Sequence, residues 1–355
     1  MRSIIILSLD IFLMGGVERS NSHLAQLFKS KGHVVTLVSF FRASKKPFFC
    51  FDGIDLICLE NTPLGTGLKA KVKTLIVFFK LLIYLRSRKD DYLVLSTFPR
   101  ISLLFSILFW DKKRIIACEH SSFNAHNKII GYSRIALYRQ LRCVITLTDH
   151  DQKIFAKHKV NAHKIPNFSD FKKELTPRES MSKMPLVCLS AGRMHPHKGF
   201  DRLLEIAKDL KEENIQFIIV GSGSEESRIK SLLNDYDLSS SVSIFAASDN
   251  LEKFIDNSDV FLMTSTTEAA PLVMLEAFSY SKPIIAYDCP VGPREIIIDG
   301  VNGFLVNDGD RLEFVTKLKL LLGSPILYNK LSKGAASYAK ENSSNHNYKL
   351  WAAHF

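Results

Sequence analysis

Short apolar runs alternate with longer stretches of helical period along the whole chain. In the first half the runs at residues 4–9, 34–40, 92–95, 114–118 and 144–147 are rich in Ile, Val and Leu and read as buried strands. The intervals between them carry helix-like spacing. One such helix, residues 17–31, stops at Gly32, a residue type suited to the position just past a helix end. The second half repeats the plan, with strands expected at 186–190, 217–220, 242–245, 260–263 and 283–287 and helices including 200–211 and 225–236. Regular alternation of this kind predicts parallel strands joined by helical crossovers. The fold class expected is therefore α/β, as two doubly wound, Rossmann-like domains with a cleft facing the carboxyl ends of both sheets. Between the halves, residues 172–185 are polar, contain two prolines and lack apolar periodicity, which marks a linker. Residues 324–355 are helical in pattern to the end.

Length agrees with two domains, since 355 residues exceed the usual size of a single core. The division expected is 1–170, 171–335 and a final helix at 336–355. The opening apolar run could pass for a secretory signal, but it is short, Asp10 interrupts it and no cleavage pattern follows. A first buried strand is the better reading. The runs at 75–85, with Lys80 inside, and 101–110 are too short to span a bilayer. Six scattered cysteines without a Cys-x-x-Cys pair argue against a disulfide framework or zinc site and suit a reducing cytosol.

Charge changes the picture more than composition does. Residues 1–170 hold 26 Lys and Arg against 12 Asp and Glu, a net of +14, while residues 171–355 hold 21 against 24, a net of −3. The +11 of the whole chain thus resides in the first half and points to a polyanionic partner for that half alone. Much of it lies at residues 68–89, where Lys69, Lys71, Lys73, Lys80, Arg86, Arg88 and Lys89 are interleaved with aliphatic and aromatic residues. A basic amphipathic helix can lie on anionic lipid.

The segment after the strand at 260–263 is small and polar and leads through Glu268 and Pro271 into an apolar helix bearing Glu276. Proline suits a first helical position. Such a helix start offers N–H groups and positive potential to an anion, one carboxylate beside it can hold sugar hydroxyls, and a second can take a ribose diol. Arg193 and Lys198 follow the first strand of the second half and have the fork and point charge that suit a diphosphate. His195 and His197 between them read as loop residues. Gly15 and Gly16 follow the first strand of the chain, where adjacent glycines permit positive φ and close backbone approach. His120 sits at the end of the 114–118 strand, and Glu119 reads as a structural or supporting acid. Glu18 could serve the helix start alone.

These blocks recur in an order that resembles the retaining glycosyltransferases of family 4, which have the two-domain GT-B fold. The resemblance runs through Gly15-Gly16-Val17-Glu18-Arg19, Glu119-His120, Ile165-Pro166-Asn167, Ala191-Gly192-Arg193, Lys198-Gly199-Phe200-Asp201-Arg202, Val220-Gly221-Ser222-Gly223 and the Glu268–Glu276 segment closing on residues 292–303. It implies catalytic roles for His120, Arg193, Lys198 and Glu268. It implies nucleotide-sugar binding by Gly15, Gly16, Gly192, Gly221, Pro271, Leu272, Val273 and Glu276, together with Arg193 and Lys198. By the same resemblance Arg193 and Lys198 neutralise the diphosphate without a metal or other cofactor, Glu276 takes the ribose, Glu268 takes the donor sugar and His120 lies near the reacting carbon. The final helix is expected to cross back to the first domain, with Trp351 packing there. Ala269-Ala270 departs from the glycine and bulkier apolar residue usual in the family.

The expectation is a retaining, metal-independent hexosyltransferase moving a hexose or N-acetylhexosamine from a UDP-sugar to a lipid-linked, lipopolysaccharide- or capsule-type glycan. Its expected place is the cytoplasm, peripheral on the inner face of the membrane. The form of residues 289–297 resembles that of bacterial surface-polysaccharide transferases, and front-face transfer is the mechanism expected. The rivals are a nucleotide-sugar 2-epimerase, a phosphorylase and a basic nucleic-acid-binding protein. No pyridoxal-type lysine stands out for the second. For the third, the aromatics sit in apolar helical runs rather than interleaved on a binding strand.

Overall fold

The structure is a computed structural model describing residues 2–174, 185–248 and 250–355. Most of the linker expected at 172–185 falls outside the described residues. The chain divides into two compact units, Met1–Pro166 with Asn347–Phe355, and Asn167–His346.

The first unit contains β1 (Ser3–Ser8), α1 (Gly16–Ser30), β2 (Val34–Ser39), β3 (Asp55–Cys58), α2 (Gly67–Ser87), β4 (Tyr92–Ser96), α3 (Pro99–Leu108), β5 (Ile115–Glu119), α4 (Lys128–Leu137), β6 (Cys143–Thr146), α5 (Asp149–Lys157) and β7 (Ala162–Lys164). Its seven strands form one parallel sheet in the order β3-β2-β1-β4-β5-β6-β7. The second unit contains β8 (Leu186–Ala191), α6 (Phe200–Asp209), β9 (Ile215–Val220), α7 (Glu226–Asp235), β10 (Val242–Phe245), α8 (Leu251–Asp256), β11 (Val260–Met263), α9 (Leu272–Ser279), β12 (Ile284–Asp288), α10 (Pro293–Ile296), β13 (Gly303–Asn307), α11 (Arg311–Gly323) and α12 (Pro325–Glu341). Its six parallel strands run β10-β9-β8-β11-β12-β13. A last helix, α13 (Ser344–Ala352), carries the chain back into the first unit.

Residue alternation shows why the strands read as continuous apolar runs. In the second sheet Cys188, Leu262 and Ile285 belong to the core on one face. Their neighbours Leu189, Met263 and Ala286 belong to the core on the other. Both faces are dry, so period 2 has no polar phase to display. The returning segment completes the first unit: Trp351 is buried and meets Phe28 edge-on with ring centroids 5.5 Å apart. Phe355 packs 5.2 Å from the same ring. Tyr348 Oη lies 2.9 Å from His33 Nε2.

In each sheet the order reverses once, between β1 and β4 and between β8 and β11. Ligands of open α/β sheets bind outside the carboxyl ends of strands at such reversals. The loops after β8 and β11 carry the charged groups singled out in the second half.

Candidate functional site

In the second unit the loop after β8 is tied to the loop after β9 by backbone bonds. The Gly192 amide donates to Val220 O at 3.0 Å, and the Met194 amide donates to Ser222 O at 2.9 Å. Gly221 has to be glycine, because a Cβ there would sit 2.0 Å from the Gly192 carbonyl oxygen. A short 3-10 turn, Pro196–Lys198, then ends on Gly199 at φ 62°, ψ 33°. A side chain at Gly199 would be strained by that backbone and would also lie 2.1 Å from Thr264 O.

This close approach fastens the loop after β8 to the loop after β11. Thr264 Oγ1 donates to Gly199 O at 2.7 Å, and the Thr266 amide donates to His197 O at 2.9 Å. Arg202 Nη1 reaches Thr264 O at 3.2 Å from the first turn of α6. Two loops 65 residues apart in sequence are thus one platform at the strand-order reversal.

On that platform Lys198 Nζ lies 2.6 Å from Glu268 Oε1. Ser265 Oγ donates to the same carboxylate oxygen at 2.7 Å. The Glu268 side chain is only 10% exposed and that of Lys198 27%, so the pair is sheltered but reachable. Gly192 backs onto the lysine stem, its would-be Cβ 3.5 Å from Lys198 Cε. From the other side Gly292, at φ 100°, brings its backbone to where a Cβ would be 3.0 Å from Glu268 Cβ. Asn167 Nδ2 donates to Ala270 O at 3.0 Å and holds the stretch leading into α9.

Pro271 is the capping residue of α9, with φ −69° and ψ 111°, and Leu272 is the first helical residue. The expectation of Pro271 at the first helical position is therefore corrected by one residue: its ψ stays extended, and only its φ is preset for the helix. Leu272 is buried and Val273 half-buried. Glu276, in the second turn, is buried at 5% exposure. Arg193 is exposed in the loop after β8, as are His195 and His197, whose rings lie 4.9 Å apart. Among the described residues no three His, Cys, Asp or Glu converge as a metal site.

The first unit presents a second set at the carboxyl edge of its own sheet. Gly15 caps α1 in extended conformation, φ −147° and ψ 165°, without a side-chain cap bond. Neither Gly15 nor Gly16 has positive φ, contrary to the turn geometry expected of them. A Cβ on Gly16 would meet nothing within 4 Å, so what this glycine provides is open space at the first N–H groups of the helix. His120 is the first residue past β5. Burial pushes its imidazole down to about 4, and its Nε2 is buried without a hydrogen-bond partner among the described residues. It is neutral at pH 7.

The loop after His120 is fixed by Asp151, whose Oδ1 accepts from the Phe123 amide at 2.9 Å. Glu119 is structural. It pairs with the fully buried Arg134 at 2.6 Å and accepts from Tyr138 Oη at 2.9 Å. Burial raises its carboxyl despite that arginine.

Residues 171–338 match the family model described as glycosyl transferases group 1. Over 354 residues the chain is 28% identical to an amylovoran biosynthesis glycosyltransferase, AmsD of Erwinia amylovora, covering 98% of this chain and 96% of the relative. The fold matches a TarM mutant of S. aureus in complex with fondaparinux, α-GlcNAc-glycerol and UDP, at TM-score 0.84 and 15% identity over 100% of this chain and 99% of that one. It also matches Anabaena HepE in complex with UDP and glucose, at TM-score 0.80 and 17% identity over 99% of each chain. The chain has the GT-B fold and resembles glycosyltransferases along its whole length.

Three residues carry parts of the site that the sequence alone does not assign. Ser265 shares the Glu268 carboxylate, Thr264 ties the two loops together and Asn167 holds the Ala270 carbonyl. The run of four hydroxyl residues at 264–267 was the available signal for the first two. Asn167 stands in the Ile165-Pro166-Asn167 block, and nothing in its neighbours announces a partner 103 residues away.

Proposed function

We propose that this protein is a retaining, metal-independent transferase of the family 4 type. It moves a hexose or N-acetylhexosamine from a UDP-sugar to a lipid-linked, lipopolysaccharide- or capsule-type glycan at the cytoplasmic face of the membrane. The observation that carries the reading is the Lys198–Glu268 pair, a cation and a carboxylate 2.6 Å apart on a platform at the strand-order reversal of the second unit. A diphosphate leaving group gains negative charge as the glycosidic bond breaks, and preorganised cations stabilise that charge. Lys198 and Arg193 supply it in this reading. Glu268, beside the cation, orients donor-sugar hydroxyls, and Glu276 in α9 takes the ribose. Pro271 sets the start of that helix, and Leu272 and Val273 offer its free N–H groups, with Gly192 and Gly221 keeping the loops thin enough for the nucleotide to approach.

His120, held neutral by burial, is a hydrogen-bonding partner for the sugar near its reacting carbon rather than a second cation. Gly15 and Gly16 leave the start of α1 open to the donor. With no carboxylate of the first unit assigned as nucleophile, the mechanism proposed is front-face transfer assisted by the departing phosphate. UDP appears with several GT-B relatives of this fold, including the TarM and HepE complexes, and the amylovoran relative supports a surface polysaccharide as product class. Nucleic acid is not a partner in this reading.

The test is a donor-hydrolysis screen of the purified protein across UDP-, GDP- and ADP-sugars, with and without EDTA. Turnover of a UDP-sugar that survives EDTA is expected. Preference for another base, or loss of activity on chelation, would overturn the donor or the metal-independent part respectively.

A further inference from the structure

Helix α2 turns an apolar face outward. Leu68, Val72, Ile76, Phe79 and Ile83 fall within about 80° of the helix circumference at 3.6 residues per turn, opposite the side on which Val77, Phe78, Leu81 and Leu85 are buried. Leu68 and Ile83, at the two ends of this row, are 75% and 72% exposed. Ordinary surface helices place polar residues there.

The face continues onto α3. Phe78 of α2 packs edge-on against Phe105 of α3 at 4.9 Å, joining the helices from below. Just past the end of α3, Trp110 is 52% exposed, and the Arg86 guanidinium of α2 lies 5.9 Å from its ring. Ile107, on α3, is 58% exposed. Exposed apolar surface on this scale marks an interaction site.

The basic residues of α2 do not make that face. Lys73 donates to Thr62 Oγ1 at 2.6 Å and to Pro63 O at 2.7 Å. Lys80 pairs with Glu60 at 2.9 Å. Both staple the 59–63 segment to the helix. Lys69 and Lys71, both exposed, border the apolar row on its two sides. An apolar ridge with an aromatic residue at its margin and cations along its flanks is complementary to a bilayer interface of anionic lipid. No described helix is long and apolar enough to cross a membrane, so contact of the ridge with a bilayer would be at its surface. As a crossover following β3, α2 starts at the carboxyl edge of the sheet, the edge that carries Gly15, Gly16 and His120.

We infer that the α2–α3 ridge inserts into the acyl boundary of an anionic membrane. Binding is led by apolar insertion, and the basic rim adds a smaller, salt-sensitive part. The inference rests on the membrane part of the proposed function and not on its donor chemistry.

The experiment is partitioning of the purified full chain onto neutral and anionic vesicles at low and high salt. Four proteins are compared: wild type, Ile76→Glu/Phe79→Glu, Lys69→Glu/Lys71→Glu, and Ile83→Ser as a milder change. Wild type should keep most of its binding at high salt. The Ile76/Phe79 variant should lose tenfold or more in partition coefficient under both conditions, Ile83→Ser should lose severalfold, and the lysine variant should lose severalfold at low salt only. Melting temperatures should stay together, because every altered side chain faces solvent.

Wild-type partitioning abolished by salt, or the Ile76/Phe79 variant binding as wild type does, would overturn the inference. So would absence of vesicle binding with a wild-type dimer that the Ile76/Phe79 variant dissolves, which would give the ridge to a second copy of the chain. Hydrolysis of a soluble UDP-sugar, measured in the same preparations, should be equal in all four. Its absence from all four would refute the donor reading while leaving the partitioning result standing.

Discussion

Lys198 and Glu268 share a proton-sized gap, and the consequences of removing either differ. Lys198→Ala should lower turnover by roughly two to three orders of magnitude if it acts on charge that grows in the transition state. Purified-enzyme activity within threefold of wild type would exclude the role. Glu268→Ala removes a counter-charge from Lys198, so UDP affinity should hold or tighten while transfer from the full donor falls. Glu276→Ala should weaken UDP itself, and calorimetry showing the same loss of UDP affinity in both glutamate variants would contradict the assignment. His120 gives a pH prediction. Its folded value of about 4 lies below the ordinary histidine value. Below the ordinary value the unfolded chain takes up a proton that the folded one refuses, so stability present at neutral pH is lost as pH falls towards 4. Thermal melts from pH 7 down to 4 should show a shallower decline for His120→Phe than for wild type. Residue types and their order along the chain were legible in the sequence. That a lysine and a glutamate 70 positions apart meet was not, because the meeting depends on β8 lying beside β11.

Elements were legible where packing on two faces forces a long apolar run, and obscure where it does not. β7 is Ala-His-Lys and β3 is Asp-Leu-Ile-Cys, both at sheet edges where one side is unpaired. β13 begins at Gly303, inside a block that reads as turn. The helical pattern over 324–355 proves to be two helices, α12 and α13, broken at Asn342-Ser343. Gly199 is the element-scale hinge of the site argument. Gly199→Ala would force a side chain into left-handed backbone, costing roughly 1–2 kcal/mol, and into contact with Thr264 O. Chemical denaturation should register the loss, and turnover should fall with it as Lys198 is displaced; a variant as stable and active as wild type would show that the two loops are not held together here. In the first unit, Arg134→Met leaves Glu119 buried without its cation. A cost of about 3–5 kcal/mol is expected, and a denaturation midpoint unchanged from wild type would show that the pair does not anchor α4 to β5.

At the scale of the molecule, the returning segment has a cost that can be measured. Trp351→Ala empties a space against Phe28 and should destabilise the first unit by about 3–5 kcal/mol. Hydrogen exchange should locate the loss in α1 and β2 and leave α6 and β9 protected; uniform change across both units, or none, would refute that placement. The same architecture sets an order of events at the ribosome. Chains usually fold domain by domain as they emerge, the N-terminal one first. Here the aromatic lid over Phe28 is translated only after all thirteen described strands, so the first unit must wait, partly open and with a greasy pocket showing, until the second has been made. Its early-synthesised half is the last to be sealed, and any trigger for chaperone capture during production should sit on α1 rather than on the second unit.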